Sequence, residues 1–422
     1  MTNVYFANRR VLMGSLIGTT IEYYDFYIYG TAASVVFGPL FFPASSPSLQ
    51  LLSAYASFSL AFLARPLGAI AFGHFGDRIG RKSTLVASLL TMGVSTFAIA
   101  LLPTFAQAGW IAPVILCLLR FGQGFGLGGE WGGAALLATE NAPAGYRGRF
   151  GSVPQLGAAL GFILANGLFL ILGLFLDQAQ FIAWGWRLPF LVSIVLVVLG
   201  LWIRLKITET PDFIAARSEK RIARVPLGEV LRDYPREMIG GTFTAIVGYA
   251  LFYISTAFAL GYGTVTLGYS RETFLAVQLG AVLFLVVGIL WAGKWSDRAS
   301  GNQVLMAGCA GTIIVGFLLA PLMASGALGW IWFFLAAALV HMGLTFGPLG
   351  AWLPGLFPAR VRYTGASVAF NVGGIVGGGL TPILAQALAD RGGLTLVGYY
   401  LSTIGLVSLT ALLFLRRRKT SP

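Results

Sequence analysis

Gly73-His-Phe-Gly-Asp77-Arg78-Ile-Gly80-Arg81-Lys82 is a charged, glycine-punctuated stretch between two apolar runs, Leu51 to Phe72 and Ser83 to Leu102. Each run is long enough to cross a bilayer as a helix. So short a connection turns the two helices back against each other. Its glycines permit a tight backbone, and Asp77 can accept hydrogen bonds from N–H groups freed at a helix start. Taken alone, Arg78, Arg81 and Lys82 require no more than a basic anchor that fixes orientation. Gly293-Lys-Trp-Ser-Asp297-Arg298 repeats the pattern 220 positions later, again between apolar runs. The repeat marks a chain built from two related halves.

Of the 422 residues, 57% are apolar and 10% charged, with a mean hydropathy of +0.81. So little charge cannot wet the surface of a soluble domain, so lipid is the solvent. In a soluble protein the net charge of +13 would suggest nucleic acid; in a membrane chain the question is where the cations sit, and no nucleic-acid partner is expected. Cys117 and Cys309 fall inside apolar runs and read as small hydrophobes, so no disulfide, metal or cofactor is expected. Arg9 and Arg10 precede a span with no small-residue cleavage site at the right distance, so no cleavable signal is expected.

Apolar runs of membrane-spanning length cover Val11–Phe37, Leu51–Gly73, Ser83–Leu102, Trp110–Thr139, Phe150–Leu176 and Trp184–Arg204. After a polar stretch come Met238–Tyr262, Thr273–Gly293, Gln303–Met323, Leu328–Leu353, Thr364–Leu388 and Leu394–Leu415. The expected fold is therefore all-α and integral to the membrane, with twelve transmembrane helices in two pseudo-symmetric bundles of six: residues 1–205 and 237–422, joined by a linker at 206–236. Lys and Arg fall in one alternate set of loops, the other set holding Arg187, Arg271 and Arg391, which puts both termini in the cytoplasm. The linker reads as an amphipathic tether on the inner membrane face.

Five ionisable residues sit inside the spans of the first half: Glu22, Asp25, Arg65, Arg120 and Glu130. Each charge at a helix centre costs roughly 2.5–3.5 kcal/mol, so such groups pair, line a wet cavity or stay neutral. Span 1 enters from the side where span 4 leaves, which brings Asp25 and Arg120 to about the same depth at ~1.5 Å per residue. Glu22 lies one turn from Asp25 on the same face. The expectation is an ion pair between Asp25 and Arg120, either a static link between helices or a proton-coupling device in which moving the cation away lets the carboxylate load a proton. Arg65 is a candidate to bind an anionic substrate through two parallel hydrogen bonds, unless it snorkels to the near surface. Glu130, among glycines, reads as a helix-packing group. Glu140 is expected to pair with Arg81 or Arg147 in an inward gate.

The Gly73–Lys82 stretch resembles the signature loop of the major facilitator superfamily, although the second copy lacks the Gly-Arg-Arg tail. Ile21-Glu22-Tyr-Tyr-Asp25-Phe26, Ala64-Arg65-Pro66-Leu67-Gly68, Arg120-Phe-Gly-Gln123-Gly124, Gly128-Gly129-Glu130-Trp131-Gly132-Gly133, Trp186-Arg187-Leu-Pro189-Phe190 and Phe357-Pro358-Ala-Arg360-Val-Arg362-Tyr363-Thr364-Gly365 are similar to its metabolite:proton symporter branch. That resemblance covers nearly the whole chain. It implies proton-coupled import by alternating access of a small organic acid, members carrying shikimate, 2-oxoglutarate or citrate, or else of the zwitterions betaine and proline. It also implies that Asp25 and Arg120 form the coupling pair and that Gly73, Asp77, Arg78, Gly80, Arg81, Arg147, Asp297 and Arg298 belong to gating loops. Gly355 departs from the family, which usually has Glu there, and removes an acidic partner for Arg360 or Arg362.

In the second half His341 is the one ionisable group inside a span, and Tyr249, Tyr253, Gln278, Asn371 and Trp352 are candidates for the other wall of a substrate cavity. No metal cluster, nucleophile elbow or phosphate loop supports an enzyme. Span 5, Gly157-Ala-Ala-Leu-Gly161, lacks the Gly-Pro motif of antiporters. The osmosensing zwitterion carriers bear a long C-terminal coiled coil where this sequence reads Arg416-Arg-Arg-Lys-Thr-Ser-Pro422, which favours an organic acid. A monomer in lipid is the expected state.

Overall fold

The computed structural model describes residues 8–43, 46–79, 81–206, 226–358 and 361–416, without the side chains of 10, 73–79, 81–85, 203–206, 226 and 416. Among the described residues every regular element is helical. In hydrocarbon a backbone N–H or C=O has no water to bond, so each apolar run takes the form that satisfies its own backbone. Nine helices among the described residues are long and apolar enough to cross a membrane. One of these, Arg362–Leu415, is two spans folded at Gly392–Gly393; Gly393 has φ of 69°, a conformation that a side chain would strain. Residues 9–41 add a span diluted by tyrosines, Glu22 and Asp25, and Arg81–Ala100 adds another around the apolar stretch Val86–Ala100.

The chain thus has twelve spans: α1 (residues 9–41), α2 (Pro47–Ile79), α3 (Arg81–Ala100), α4 (Ile111–Glu140), α5 (Arg147–Phe175), α6 (Leu188–Lys206), α7 (Pro235–Thr266), α8 (Arg271–Arg298), α9 (Gly301–Met323), α10 (Leu328–Trp352), α11 (residues 362–391) and α12 (residues 394–416). One correction concerns the stretch that opened the reading. It was expected as a loop, yet α2 stays helical through Ile79 and α3 begins at Arg81. A segment leaving lipid still satisfies its backbone most simply by continuing the helix. The gating assignments to Gly73, Asp77, Arg78, Gly80 and Arg81 rest on side chains outside the described residues, as does that of Arg360. Of the linker, a short helix Pro226–Asp233 is described, with Val230 buried.

Helix pairing repeats between the halves. In the first half α1 packs on α5, α2 on α4 and α3 on α6; in the second α7 packs on α11, α8 on α10 and α9 on α12. Glycines let several of these pairs touch backbone to backbone. A Cβ added at Gly124 in α4 would lie 2.2 Å from the Ala61 carbonyl oxygen of α2, and one at Gly398 in α12 would lie 2.4 Å from that of Gly316 in α9. The Gly157 and Gly161 of α5 serve the same purpose against Thr19, Tyr23 and Tyr24 of α1. Large apolar side chains such as Leu63, Leu67, Leu118 and Phe317 point outward, as a lipid solvent allows. By contrast α7 is 94% buried over its most apolar stretch, which puts it at the seam of the two bundles.

Several of the seam helices are irregular. π-helical turns interrupt α1 at Ala33–Phe37, α7 at Ile254–Phe258 and Tyr262–Thr266, and α11 at Ile375–Gly379, and α4 breaks between Leu127 and Trp131. Pro39 and Pro382 follow two of the π-turns and lack the N–H an uninterrupted helix would use. Gly124→Ala is expected to cost about 1–3 kcal/mol through overpacking against α2 backbone, read as a lower thermal unfolding temperature in detergent. Gly167→Ala, where nothing lies within 4 Å, is the control expected to leave that temperature unchanged.

Candidate functional site

At the heart of the first half, Asp25 of α1 and Arg120 of α4 are both fully buried. They do not form the direct ion pair that matching depth led one to expect. The Arg120 guanidinium lies over three ring faces, those of Tyr29 at 4.1 Å, Phe26 at 4.2 Å and Phe58 at 4.7 Å. Its Nε donates to the Phe58 main-chain oxygen at 3.3 Å and its Nη1 to Gln123 Oε1, while Nη2 has no acceptor. Gln123, three residues on along α4, then donates through Nε2 to the main-chain oxygen of Asp25 at 2.8 Å and to Thr96 Oγ1 at 2.9 Å. The Asp25 carboxylate oxygens make no hydrogen bond of good geometry, and the Ser193 and Thr96 hydroxyls lie beside them. One amide therefore links the cation to the main chain of Asp25. Ring quadrupoles hold a desolvated guanidinium by about 2 kcal/mol, which explains why the cation settles on the aromatic faces. Gln123 was visible in sequence as a polar residue at i+3 from Arg120, but its part as the connector was missed.

Arg65 of α2 is 8% exposed and sits 18 residues into a helix of 33, so it does not snorkel. Its guanidinium lies over Phe26 at 4.7 Å and Phe62 at 5.3 Å, and its Nε has no acceptor. Tyr249 and Tyr253 of α7 are buried beside it, the Tyr249 hydroxyl facing the guanidinium without a hydrogen bond of good geometry. Tyr253 packs edge-on against Phe26, Phe58 and Phe62. Two tyrosines predicted for the far wall thus meet the arginine predicted for the near one. Glu22 is buried on α1. Glu130 accepts from Ser88 Oγ of α3 at 2.8 Å, a link between neighbouring helices.

Not every predicted residue reaches this place. His341 Nδ1 contacts the Ala337 oxygen one turn back on its own helix at 2.8 Å, and its ring fills the space over Gly311 of α9, on the side of α10 away from the seam. Trp352 lies over Gly301 at the end of α10. Asn371 of α11 is buried, but its Nδ2 donates to the Gly128 oxygen of α4 at 3.1 Å. Gln278 of α8 does reach the seam, where its Nε2 donates to the Ser255 and Thr256 oxygens at 2.9 and 2.8 Å.

The two halves meet through side-chain donors aimed at carbonyls that irregular helices set free. On the face that carries both termini, Tyr363 and Asn371 of α11 bond the Gly129 and Gly128 oxygens at the break in α4, and Trp131 stacks on Phe370 at 3.7 Å. On the opposite face, Ser34 of α1 and Tyr55 of α2 both donate to the Ala257 oxygen in an α7 π-turn, at 3.2 and 2.6 Å. Ser59 of α2 likewise bonds the Gly379 oxygen in the π-turn of α11. Above that second layer a cavity of about 380 Å³ opens, lined by Ser34, Gln50, Thr264, Arg271 and Glu272 among others.

Asp297, the acidic residue of the repeated motif, accepts from the main-chain N–H of Gly148 at 2.6 Å and of Arg149 at 3.3 Å, and from Arg149 Nε at 2.7 Å. It sits at the positive N-terminal end of α5, where an anion is stabilised. Arg149 is thus the basic partner of Asp297, while Arg147, expected to pair with Glu140, is exposed. Arg298 is exposed at the end of α8, and Glu140 is exposed with no ion pair to Arg147 among the described residues. Gly355 has open space around it, so the family's usual Glu would fit.

With this geometry in view, the comparisons with known proteins are direct. The family model of the Major Facilitator Superfamily matches residues 15–378. The chain belongs to that superfamily. It is 49% identical over 96% of its length, and 94% of the relative's, to the inner membrane metabolite transport protein YhjE of Escherichia coli. It is 38% identical to the shikimate transporter of Escherichia coli, over 90% of this chain and 87% of that one. The xylose transporter XylE of E. coli in a partially occluded inward-open conformation superposes with a TM-score of 0.75 at 16% identity, over 100% of this chain and 98% of that one, a likeness of fold. The chain is a multi-pass inner-membrane transporter and not an enzyme.

Asp297→Ala removes a carboxylate that satisfies two N–H groups and a guanidinium across the bundle seam. Charge-assisted bonds of this kind are worth about 1.5–3 kcal/mol. The variant is expected to raise maleimide labelling of a cysteine placed at Ser152, beneath that contact, by tenfold or more; labelling at the wild-type rate would show the contact to be idle.

Proposed function

We propose that this transporter is a symporter that imports a small organic acid together with protons by alternating access. The observation that carries the reading is the fully buried Asp25 carboxyl, which has no ion pair and no hydrogen bond of good geometry, on a residue whose main chain is joined to Arg120 through Gln123. A carboxyl group held near a mobile cation takes up a proton when the cation leaves it and releases it when the cation returns. Arg65, its Nε unpaired and the Tyr249 hydroxyl beside it, offers a carboxylate a guanidinium and a phenol at once. Binding of a substrate anion there would draw charge toward Arg65 and so tie the arginine layer to the proton layer. Glu22 stands next in line on α1.

Alternating access follows from the two seam contacts. Bundles 1–205 and 237–422 rock about the site, the face with the termini taken as cytoplasmic from the placement of Lys and Arg. Loss of the Tyr363 and Asn371 bonds opens that face; loss of the Ser34, Tyr55 and Ser59 bonds opens the other. Each such bond is worth about 0.5–1.5 kcal/mol, which shifts a two-state population roughly two- to tenfold. Tyr55→Phe with Ser59→Ala is expected to increase labelling of a cysteine at Gln50 from the outer side, and Tyr363→Phe with Asn371→Ala to increase labelling at Ser152 from the inner side. Equal responses at both positions would rule out separate gates.

Proteoliposomes with a trapped pH indicator test the chemistry, using mono-, di- and tricarboxylates, shikimate and betaine. The expected result is substrate-triggered proton entry for one acid, with Asp25→Asn binding it but accumulating it at least tenfold less against a gradient. Uphill accumulation by Asp25→Asn at the wild-type level would remove Asp25 as the proton carrier, and a response to betaine alone would replace the acid by a zwitterion.

A further inference from the structure

A second polar site lies at the seam, away from both arginines. A cavity of about 10 Å³ sits between α1, α5, α7 and α8, walled by Tyr27, Phe162, Tyr253 and Leu260. That is the room of a single hydroxyl or water oxygen. Asn166 of α5 and Gln278 of α8 line it from opposite bundles, 1% and 2% exposed. Each amide is fixed at one end by the protein. The Thr31 hydroxyl donates to Asn166 Oδ1, which leaves Asn166 Nδ2, a donor, without a partner. Gln278 Nε2 donates to the Ser255 and Thr256 oxygens in the π-turn of α7, which leaves Gln278 Oε1, an acceptor, without one.

Buried polar atoms without partners are rare and point to an unfilled role. Here one is a donor, the other an acceptor, and their orientations are set by the bonds at the other end of each amide. The group that answers both is one that donates and accepts through a single atom: a hydroxyl, or a water that a substrate hydroxyl displaces. A carboxylate cannot donate to Gln278, an ammonium cannot accept from Asn166, and a methylene satisfies neither.

We infer that Asn166 and Gln278 form a hydroxyl-recognition slot, so that the preferred substrate carries an alcohol group in addition to its charged end. The slot deepens the reading of the chain as an organic-acid carrier and rests on that reading only for the charged end. Thr31 lines the cavity too, but its hydroxyl is spent on Asn166 Oδ1, so it acts as a positioning residue for that amide. Because the two amides belong to different bundles, a substrate hydroxyl bonded to both holds the halves together; an analogue lacking it leaves two buried groups unpaired when the seam closes. A site built this way discriminates strongly against the deoxy compound.

The test is transport and competition in proteoliposomes with paired probes: malate with succinate, 3-hydroxybutyrate with butyrate, 3-hydroxycyclohexanecarboxylate with cyclohexanecarboxylate, and the neutral polyols glycerol and myo-inositol. In the wild type at least one hydroxy acid is expected to exceed its deoxy partner tenfold or more in kcat/KM. That ratio is expected to fall below threefold in Asn166→Ala and, independently, in Gln278→Ala. In Thr31→Val the ratio is expected to fall as well, with Thr31→Ser restoring it. Acids carried without such a preference, or a preference that persists in both amide variants, overturn the slot and leave the organic-acid reading standing. Polyols that compete while no acid does overturn the acid and keep the slot. No interaction with any hydroxylated probe overturns both.

Discussion

Inside a bilayer a polar atom has nothing to bond with except the protein itself, and that constraint orders this molecule from backbone to site. Regular helix answers it for most of the chain. Where the helix is irregular, carbonyls are released, and at several such places along the seam another helix supplies a donor. Tyr55 and Ser34 serve Ala257, Ser59 serves Gly379, Gln278 serves Ser255 and Thr256, and Asn371 and Tyr363 serve the break in α4. The defects of individual helices are thereby turned into the contacts between bundles. They run in opposite senses on the two faces: the second half donates to the first near the termini, and the first half donates to the second at the far side. A rocking motion that breaks one set leaves the other intact.

The same constraint explains the few atoms that remain unpaired. Some, such as those of Trp186, Arg236, Ser296 and Gln386, lie toward the helix ends; a group of them lies at the centre. Asp25, Arg65, Arg120, Asn166, Tyr249 and Gln278 all have a buried polar atom without a partner, and all lie on helices that meet at the centre. Natural interiors leave few such atoms, so their concentration marks the place where the molecule expects to bond something else. The two arginines endure there because aromatic faces cradle them, a weaker hold than a carboxylate and one that a charged partner can outbid.

Close packing supplies the mobility. Glycine lets α2 touch α4, and α9 touch α12, through the backbone, giving each bundle a stiff interior. On α11 the glycines are used on two sides at once: Gly373 and Gly377 lie against α7, whereas Gly378 and Gly379 lie against Phe62 of α2. The flat surface that the run presents to Phe62 belongs to the seam, where smooth sliding is required, and the π-turn in the same run provides the carbonyl that Ser59 bonds.

How much of this was legible in the sequence depends on the range of the interaction. Length and continuity of apolar runs determined twelve helices, because a span is a local property of about twenty residues. Repetition of Gly-x-x-x-Asp-Arg determined the two halves, and the cost of charge in lipid singled out Asp25, Arg65 and Arg120 before any geometry was known. Depth along a helix was readable too, since each residue adds a fixed rise. Rotation about the helix was not. It decided that Arg120 turns to the rings of Phe26, Tyr29 and Phe58 and reaches the main chain of Asp25 through Gln123, that His341 faces α9, that Asn371 bonds the break in α4, and that Arg149 meets Asp297. Those outcomes follow from which faces converge when the bundles pack. Only the tertiary structure fixes that, because the partners lie tens to hundreds of residues apart and no local pattern records their angle.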